Sequence, residues 1–126
     1  MHLNKKLNLI IVILTYNEEL HIKRCLSSAL KLTNHILVVD SFSNDKTVEF
    51  SKQMGVTVLQ NKWRSHSDQF NWALSLIKNK YEWVFRIDAD EYFLDFKSFV
   101  DFLRSKNYFL KNPEKNKIQV SPFLIN

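Results

Sequence analysis

Trp83-Val84-Phe85-Arg86-Ile87-Asp88-Ala89-Asp90-Glu91 is the stretch that decides the fold, because an apolar, near-alternating run of β-formers ends abruptly in acid. Such a run predicts a strand through the middle of a sheet that surfaces at Asp88. Three carboxylates then fall within four residues. Hard cations such as Mg²⁺ and Mn²⁺ favour carboxylate oxygens, and a protein commonly offers them only one or two besides substrate phosphates. Asp88 and Asp90, emerging from one strand end, are therefore candidate metal ligands. A turn and a helix cap would use the same acids.

Working outward, the same pattern recurs upstream. Residues 7–14 form a continuous β-branched apolar run, as in strands covered on both faces, and end at Thr15-Tyr16-Asn17. Residues 18–31 place Ile22, Cys25, Leu26, Ala29 and Leu30 on one helical face, with Asn17 as expected N-cap and Glu18 and Glu19 in the first turn. A second strand, 35–40, again ends in acid at Asp40-Ser41. A helix over about 45–54 stops at Gly55, and a short strand follows over 56–59. Phe70, Leu74 and Ile77 predict a helix over 67–78 capped by Ser65 or Ser67, and Phe96, Phe99, Val100 and Leu103 another over about 97–105.

Strand and helix alternate through four strands, the rhythm of an open, mostly parallel α/β sheet with flanking helices. Ligands in such sheets bind beyond the carboxyl ends of the strands. Thr15-Tyr16-Asn17, Asp40-Ser41 and Asp88-Ala89-Asp90 would therefore meet at one edge. Residues 1–105 read as one domain, and 106–126, with Pro113 and Pro122 and no clear periodicity, as a C-terminal segment.

Composition bounds the rest. At 126 residues and 45% hydrophobic content the chain suits one globular domain. The run over 7–14 is too short to cross a bilayer and no leader-like segment follows Met1, so the expected location is cytoplasmic. A single cysteine, Cys25, on an apolar helical face reads as core. With only Gly55, no glycine-rich phosphate cradle of the dinucleotide or P-loop type can form. A net charge of +5 suits a polyanionic partner. Nucleic acid is the weaker choice, since most aromatics fall on core-periodic positions. The four histidines, His2, His21, His35 and His66, lack ligand spacing, and only His66 falls near the proposed edge.

A sugar nucleotide fits these clusters. Asp40 can accept from a base N–H, Tyr16 can pack on the base, and the Asp88 and Asp90 pair can hold a cation against the diphosphate. Lys62, Arg64 or Arg86 would share in neutralising phosphate charge. Four motifs in order, Ile13-Leu14-Thr15-Tyr16-Asn17-Glu18-Glu19, Val38-Val39-Asp40-Ser41-Phe42-Ser43-Asn44-Asp45-Lys46-Thr47, Gln69-Phe70-Asn71-Trp72-Ala73-Leu74 and Asp88-Ala89-Asp90-Glu91, resemble the inverting family 2 glycosyltransferases of the GT-A fold. Within that family the chain looks most like the lipopolysaccharide core glucosyltransferases.

The resemblance covers about residues 8–95. It implies a Rossmann-like nucleotide-sugar-binding half, a divalent metal (Mn²⁺ or Mg²⁺), a UDP-sugar donor and a glycan or lipid-linked acceptor, with work at the cytoplasmic face of the inner membrane. Carried over by position, Thr15, Tyr16, Asn17, Glu18, Asp40 and Ser41 line the nucleotide pocket. Gln69 and Asn71 close over the diphosphate, and Asp88, Ala89 and Asp90 form the metal motif. Phe42 and Ser67 stand where the family has glycine, a costly exchange wherever φ is positive. The family's acceptor half and general base come later in the chain. Asp95 and Asp101 come too soon for the base, so none is expected here, and the sequence reads as shortened. The competing expectation is a non-catalytic nucleotide-sugar-binding fragment, or a subunit whose partner chain supplies the acceptor half.

Overall fold

The computed structural model describes residues 8–78, 80–81, 83–94 and 97, and the backbone of 117–118 and 124–125. The expected helix over 97–105, apart from Lys97, lies outside the described residues, as do Asp95 and Asp101.

The elements run β1 (Leu9–Thr15), α1 (Ile22–Ala29), β2 (Ile36–Asp40), α2 (Thr47–Gln53), β3 (Thr57–Gln60), α3 (His66–Ile77), β4 (Trp83–Asp88), β5 (Tyr92–Phe93), β6 (Lys117–Ile118) and β7 (Leu124–Ile125). One sheet has the order β3-β2-β1-β4-β6 with every pairing parallel. A second, small sheet pairs β5 antiparallel with β7. The parallel sheet with flanking helices is the architecture expected from sequence.

β1 lies at the centre, and its residues are apolar without break because both faces are covered. Leu9, Ile11 and Ile13 point into a core with Ile22, Cys25, Leu26 and Ala29 of α1, Phe50 of α2 and Trp83, Phe85 and Ile87 of β4. Ile10 and Val12 point the other way, against Phe70, Ala73, Leu74 and Ile77 of α3. Period two in the strand thus sets α1 and α2 on one face and α3 on the other. Each large side chain so buried contributes about 1.5–3 kcal/mol. Among the described residues no helix is long and apolar enough to cross a membrane.

The α1 start differs from expectation. Asn17 is not its N-cap: it has φ 52°, and the helix begins after His21. Residues 18–20 instead form a turn, because two of their backbone N–H groups have partners at the start of α2 and just before it: Glu18 N donates to Thr47 Oγ1 at 2.7 Å and Glu19 N to Asp45 Oδ2 at 3.1 Å. Ser65 caps α3, accepting from Asp68 N at 3.0 Å. Ser67 lies inside that helix and needs no positive φ, whereas Phe42 has φ 60°, so only the first of the two glycine replacements falls on a left-handed position.

Candidate functional site

The register brings the strand ends level. Leu14 pairs with Asp88, Thr15 with Asp40, and Asp40 with Gln60, so polar residues of β4, β1, β2 and β3 form one row at the carboxyl edge. β1, between β2 and β4, is where the strand order reverses, the place such sheets open for ligands.

Two loops build the floor of this edge. Asn17 N donates to Ser43 Oγ at 2.8 Å, and Asn17 Oδ1 accepts from Asn44 N at 2.8 Å. Lys46 N donates to Glu19 Oε1 at 2.8 Å. Asp45 accepts at one oxygen from both the backbone and the hydroxyl of Thr47, at 2.9 and 2.5 Å. Asn tolerates the left-handed conformation that this clamp imposes at position 17.

Above the floor is a cavity of about 350 Å³ lined by Leu14, Thr15, Tyr16, Glu18, Ser41, Trp63 and His66. Tyr16 and Trp63 expose about half their surface there, and the Trp63 ring meets His66 edge-on at 4.8 Å. Apolar rings beside hydroxyls and a carboxylate suit a ligand with a flat face and a polar edge.

Beside the cavity lie the acids of β4. Asp88 and Asp90 are exposed, with Ala89 buried between them. Glu91 turns back, its Oε1 accepting from Asp88 N at 2.8 Å while its own N donates to Asp88 O at 2.9 Å. Burial pushes the Glu91 carboxyl up, and the Asp88 and Asp90 charges add to this against the Asp88 N–H and Arg86. Glu18 is also pushed up, first by burial and then by Asp90, Asp88 and Asp45, with His21 opposing. Leu14 lines the cavity and is the register partner of Asp88, so the acids stand beside the cavity at the same strand edge. Among the described residues neither Asp88 nor Asp90 forms an ion pair, and Arg24 reaches only the backbone oxygen of Asp90, at 3.4 Å. An oxygen-only pair of exposed, unpaired carboxylates fits a hard divalent cation whose other ligands are phosphate and water. Among the described residues no group of three or more acidic, His or Cys side chains makes a self-sufficient cage.

The structure gathers Thr15, Tyr16, Glu18, Ser41, Asp88, Ala89 and Asp90 at this edge, and Asn17 on its floor. Asp40 comes to the edge but is not presented to a ligand. It is fully buried, and its carboxylate accepts from Thr15 Oγ1 at 2.7 Å, Ser43 Oγ at 2.5 Å, Ser43 N at 2.8 Å and Gln60 Nε2 at 3.2 Å. These bonds use its acceptor capacity, so Asp40 ties the strand ends together instead of meeting a base N–H.

Gln69 is likewise buried, a strut between α3, Asn61 and Ser41, and does not close over a diphosphate. Asn71, two residues on and so roughly 200° around the helix, is exposed. It lines a second hollow of about 650 Å³ with Lys62, Arg64 and Asp68. Those two cations therefore do not join the acids. Arg86 lies mid-strand with its guanidinium 5.9 Å from the Phe70 ring, on the α3 side. Trp63 was not foreseen. Its signal was an aromatic in a polar loop, away from any apolar periodicity.

The family model described as "Glycosyl transferase family 2" matches residues 10–115. An uncharacterized glycosyltransferase of Rickettsia typhi is 39% identical over 79 residues, 63% of this chain and 26% of that protein. The chain thus spans about a quarter of the length of curated relatives it matches. A mannosyltransferase of Pyrobaculum calidifontis, in complex with GDP-Man and Mn²⁺, superposes with a TM-score of 0.68 at 20% identity, covering 81% of this chain and 33% of that one. Glucosyl-3-phosphoglycerate synthase of Mycobacterium tuberculosis, in complex with Mn²⁺, UDP and phosphoglyceric acid, gives 0.55 at 23%, covering 71% and 34%. These likenesses show the GT-A fold. With the family model spanning most of its length, the chain belongs to glycosyl transferase family 2.

Proposed function

We propose that this chain carries the donor-binding part of a metal-dependent, inverting glycosyltransferase that uses a nucleoside diphosphate sugar. The observation that carries the reading is an aromatic-walled cavity whose wall residue Leu14 is the register partner of Asp88, which sets two exposed carboxylates, free of ion pairs among the described residues, beside it. Tyr16 and Trp63 pack on the base, Ser41 meets its polar edge, and Asp88 and Asp90 would hold Mn²⁺ or Mg²⁺ at the diphosphate. Bound there, the cation would offset diphosphate charge. Lys62 and Arg64 lie in another hollow and are not assigned to that task.

The reaction is displacement at the anomeric carbon. An acceptor hydroxyl gives its proton to a general base, its oxygen bonds to that carbon, and the bond from carbon to diphosphate oxygen breaks, releasing the nucleoside diphosphate. No described side chain is assigned as the base. The neighbours' GDP-Man and UDP support a nucleotide donor, and their Mn²⁺ supports the metal. A hexose donor such as a UDP-sugar, and a lipopolysaccharide or other glycan acceptor at the cytoplasmic membrane face, follow from the resemblance of the motifs.

A second reading is donor binding without transfer, with the acceptor half supplied by other chain. It is favoured by the exposure of Leu20 and Leu94, at 87% and 68%. Calorimetric titration of UDP- and GDP-sugars with Mn²⁺ and with chelator tests the first part of both readings. Metal-dependent binding is expected, and no binding in either condition overturns both. Release of nucleoside diphosphate on adding a glycan acceptor then separates transfer from binding alone.

A further inference from the structure

We propose that Ser41, held in donor polarity by the buried amide of Gln69, is the group that reads the edge of the nucleotide base, giving its hydroxyl proton to a ring carbonyl oxygen. The inference rests on the cavity being the nucleotide's, as above.

The argument is a proton count. Gln69 is 1% exposed. Its Oε1 accepts from Asn61 Nδ2 at 2.8 Å, and its Nε2 donates to Asn61 O at 3.0 Å and to Ser41 Oγ at 3.1 Å. Both amide protons and the carbonyl are thus engaged. Flipping the amide would set its oxygen against the Asn61 carbonyl oxygen and its nitrogen against the Asn61 amide nitrogen, so the orientation is fixed. Ser41 Oγ is therefore an acceptor toward Gln69, and its own proton must go elsewhere.

No described group accepts that proton. The residue is fixed in place by its backbone N, which donates to Thr15 O at 2.9 Å, and it lines the cavity. The neighbouring candidates are spent. The Thr15 hydroxyl proton goes to Asp40, and the Asp40 oxygens are filled by Thr15, Ser43 and Gln60. A hydroxyl donor facing the exocyclic group at C4 of a pyrimidine or C6 of a purine favours an oxo group there, as in uracil or guanine, over an amino group, as in cytosine or adenine. The aromatic walls give affinity without discriminating among bases, since every base has a π-face.

The test measures binding of UDP, GDP, CDP and ADP, each with Mn²⁺, to the full chain and to Ser41→Ala, Ser41→Thr and Gln69→Glu. The Gln69→Glu carboxylate would accept the Ser41 proton and silence the donor while keeping the side chain's size. The expected result is a loss of about 3- to 10-fold for UDP or GDP in Ser41→Ala and Gln69→Glu, one neutral hydrogen bond's worth. CDP and ADP should change little and Ser41→Thr should retain the preference. Ser41→Ala does not depend on burying a charge, so it decides should Gln69→Glu fail to fold. Unchanged UDP and GDP affinity in Ser41→Ala, or equal loss for all four nucleotides, overturns the proposal while the donor site stands. Absence of nucleotide binding by the unaltered chain overturns the donor site and this inference with it.

Discussion

Thr15 and Asp40 are register partners at the ends of adjacent parallel strands, both buried, and their side chains are joined by a hydrogen bond of 2.7 Å. The pair makes the carboxyl edge of β1 and β2 a single fixed unit, and Ser43 and Gln60 extend it to the next loop and strand.

Asp40→Ala should therefore act on stability first. It leaves the Thr15 and Ser43 hydroxyls, the Ser43 N–H and the Gln60 amide without their acceptor, at a cost of about 3 kcal/mol, since stranded buried donors lose their full solvation. Denaturant unfolding measures it. A variant as stable as the parent chain that lost only nucleotide affinity would return Asp40 to the role of base acceptor.

Phe42 at φ 60° is a strained position with an exposed ring. A side chain in the left-handed region costs about 1–2 kcal/mol, part of which glycine recovers despite its greater freedom when unfolded. Phe42→Gly should raise the melting temperature by about 4 °C for a net gain of about 1 kcal/mol. Phe42→Ala should not, because alanine meets the same backbone penalty. If Ala stabilises as much as Gly, the gain comes from removing the exposed ring and the strain argument fails.

Much of this was legible because burial writes itself into sequence. β1 and β4 are covered on both faces, so Leu9 through Thr15 and Trp83 through Asp88 could be read as apolar runs ending in polar residues. The α1 start was not legible, because the turn over 18–20 is held by Asp45 and Thr47, partners 26 and 29 residues away. Asp88, Asp90, Tyr16 and Ser41 were found as strand-end polar residues. Gln69 and Asn71 came together from the motif's resemblance, although two steps on a helix set them on different sides. Trp63 carried no periodicity, and its place on the cavity is tertiary.

Acid should loosen the loop clamp through Asp45. Burial pulls its carboxyl up, but the Thr47 hydroxyl, the Thr47 N–H and the Glu19 N–H outweigh this and hold it below the usual range. A folded value below the unfolded one means that the unfolded chain binds the proton more readily. The stabilisation is present above the unfolded value near about 3.9 and is lost as pH falls through the folded one. Melting temperatures taken from pH 6 down to about pH 3 should fall more steeply for the parent chain than for Asp45→Asn, which keeps an acceptor but no charge. Parallel curves would remove Asp45 from the acid response.

The metal assignment can be separated from general acidity by comparing three aspartates. Asp88 and Asp90 stand exposed beside Glu18 and Glu91, whose carboxyls burial and this local negative charge push up. Asp68 lines the hollow on α3 with Lys62 and Arg64. A cation at the first pair relieves mutual repulsion, whereas at Asp68 it would compete with neighbouring positive charge. Asp90→Ala and Asp88→Ala should each lower the Mn²⁺-dependent part of UDP-sugar affinity by more than the roughly 10- to 100-fold typical of losing an outer-shell partner. Asp68→Ala should leave it unchanged, and chelator should bring the parent chain to the level of Asp90→Ala. Titration calorimetry at fixed ionic strength reads all four. Equal losses at Asp90 and Asp68 would mean that the cation answers to net charge, and Asp88 and Asp90 would no longer be its ligands.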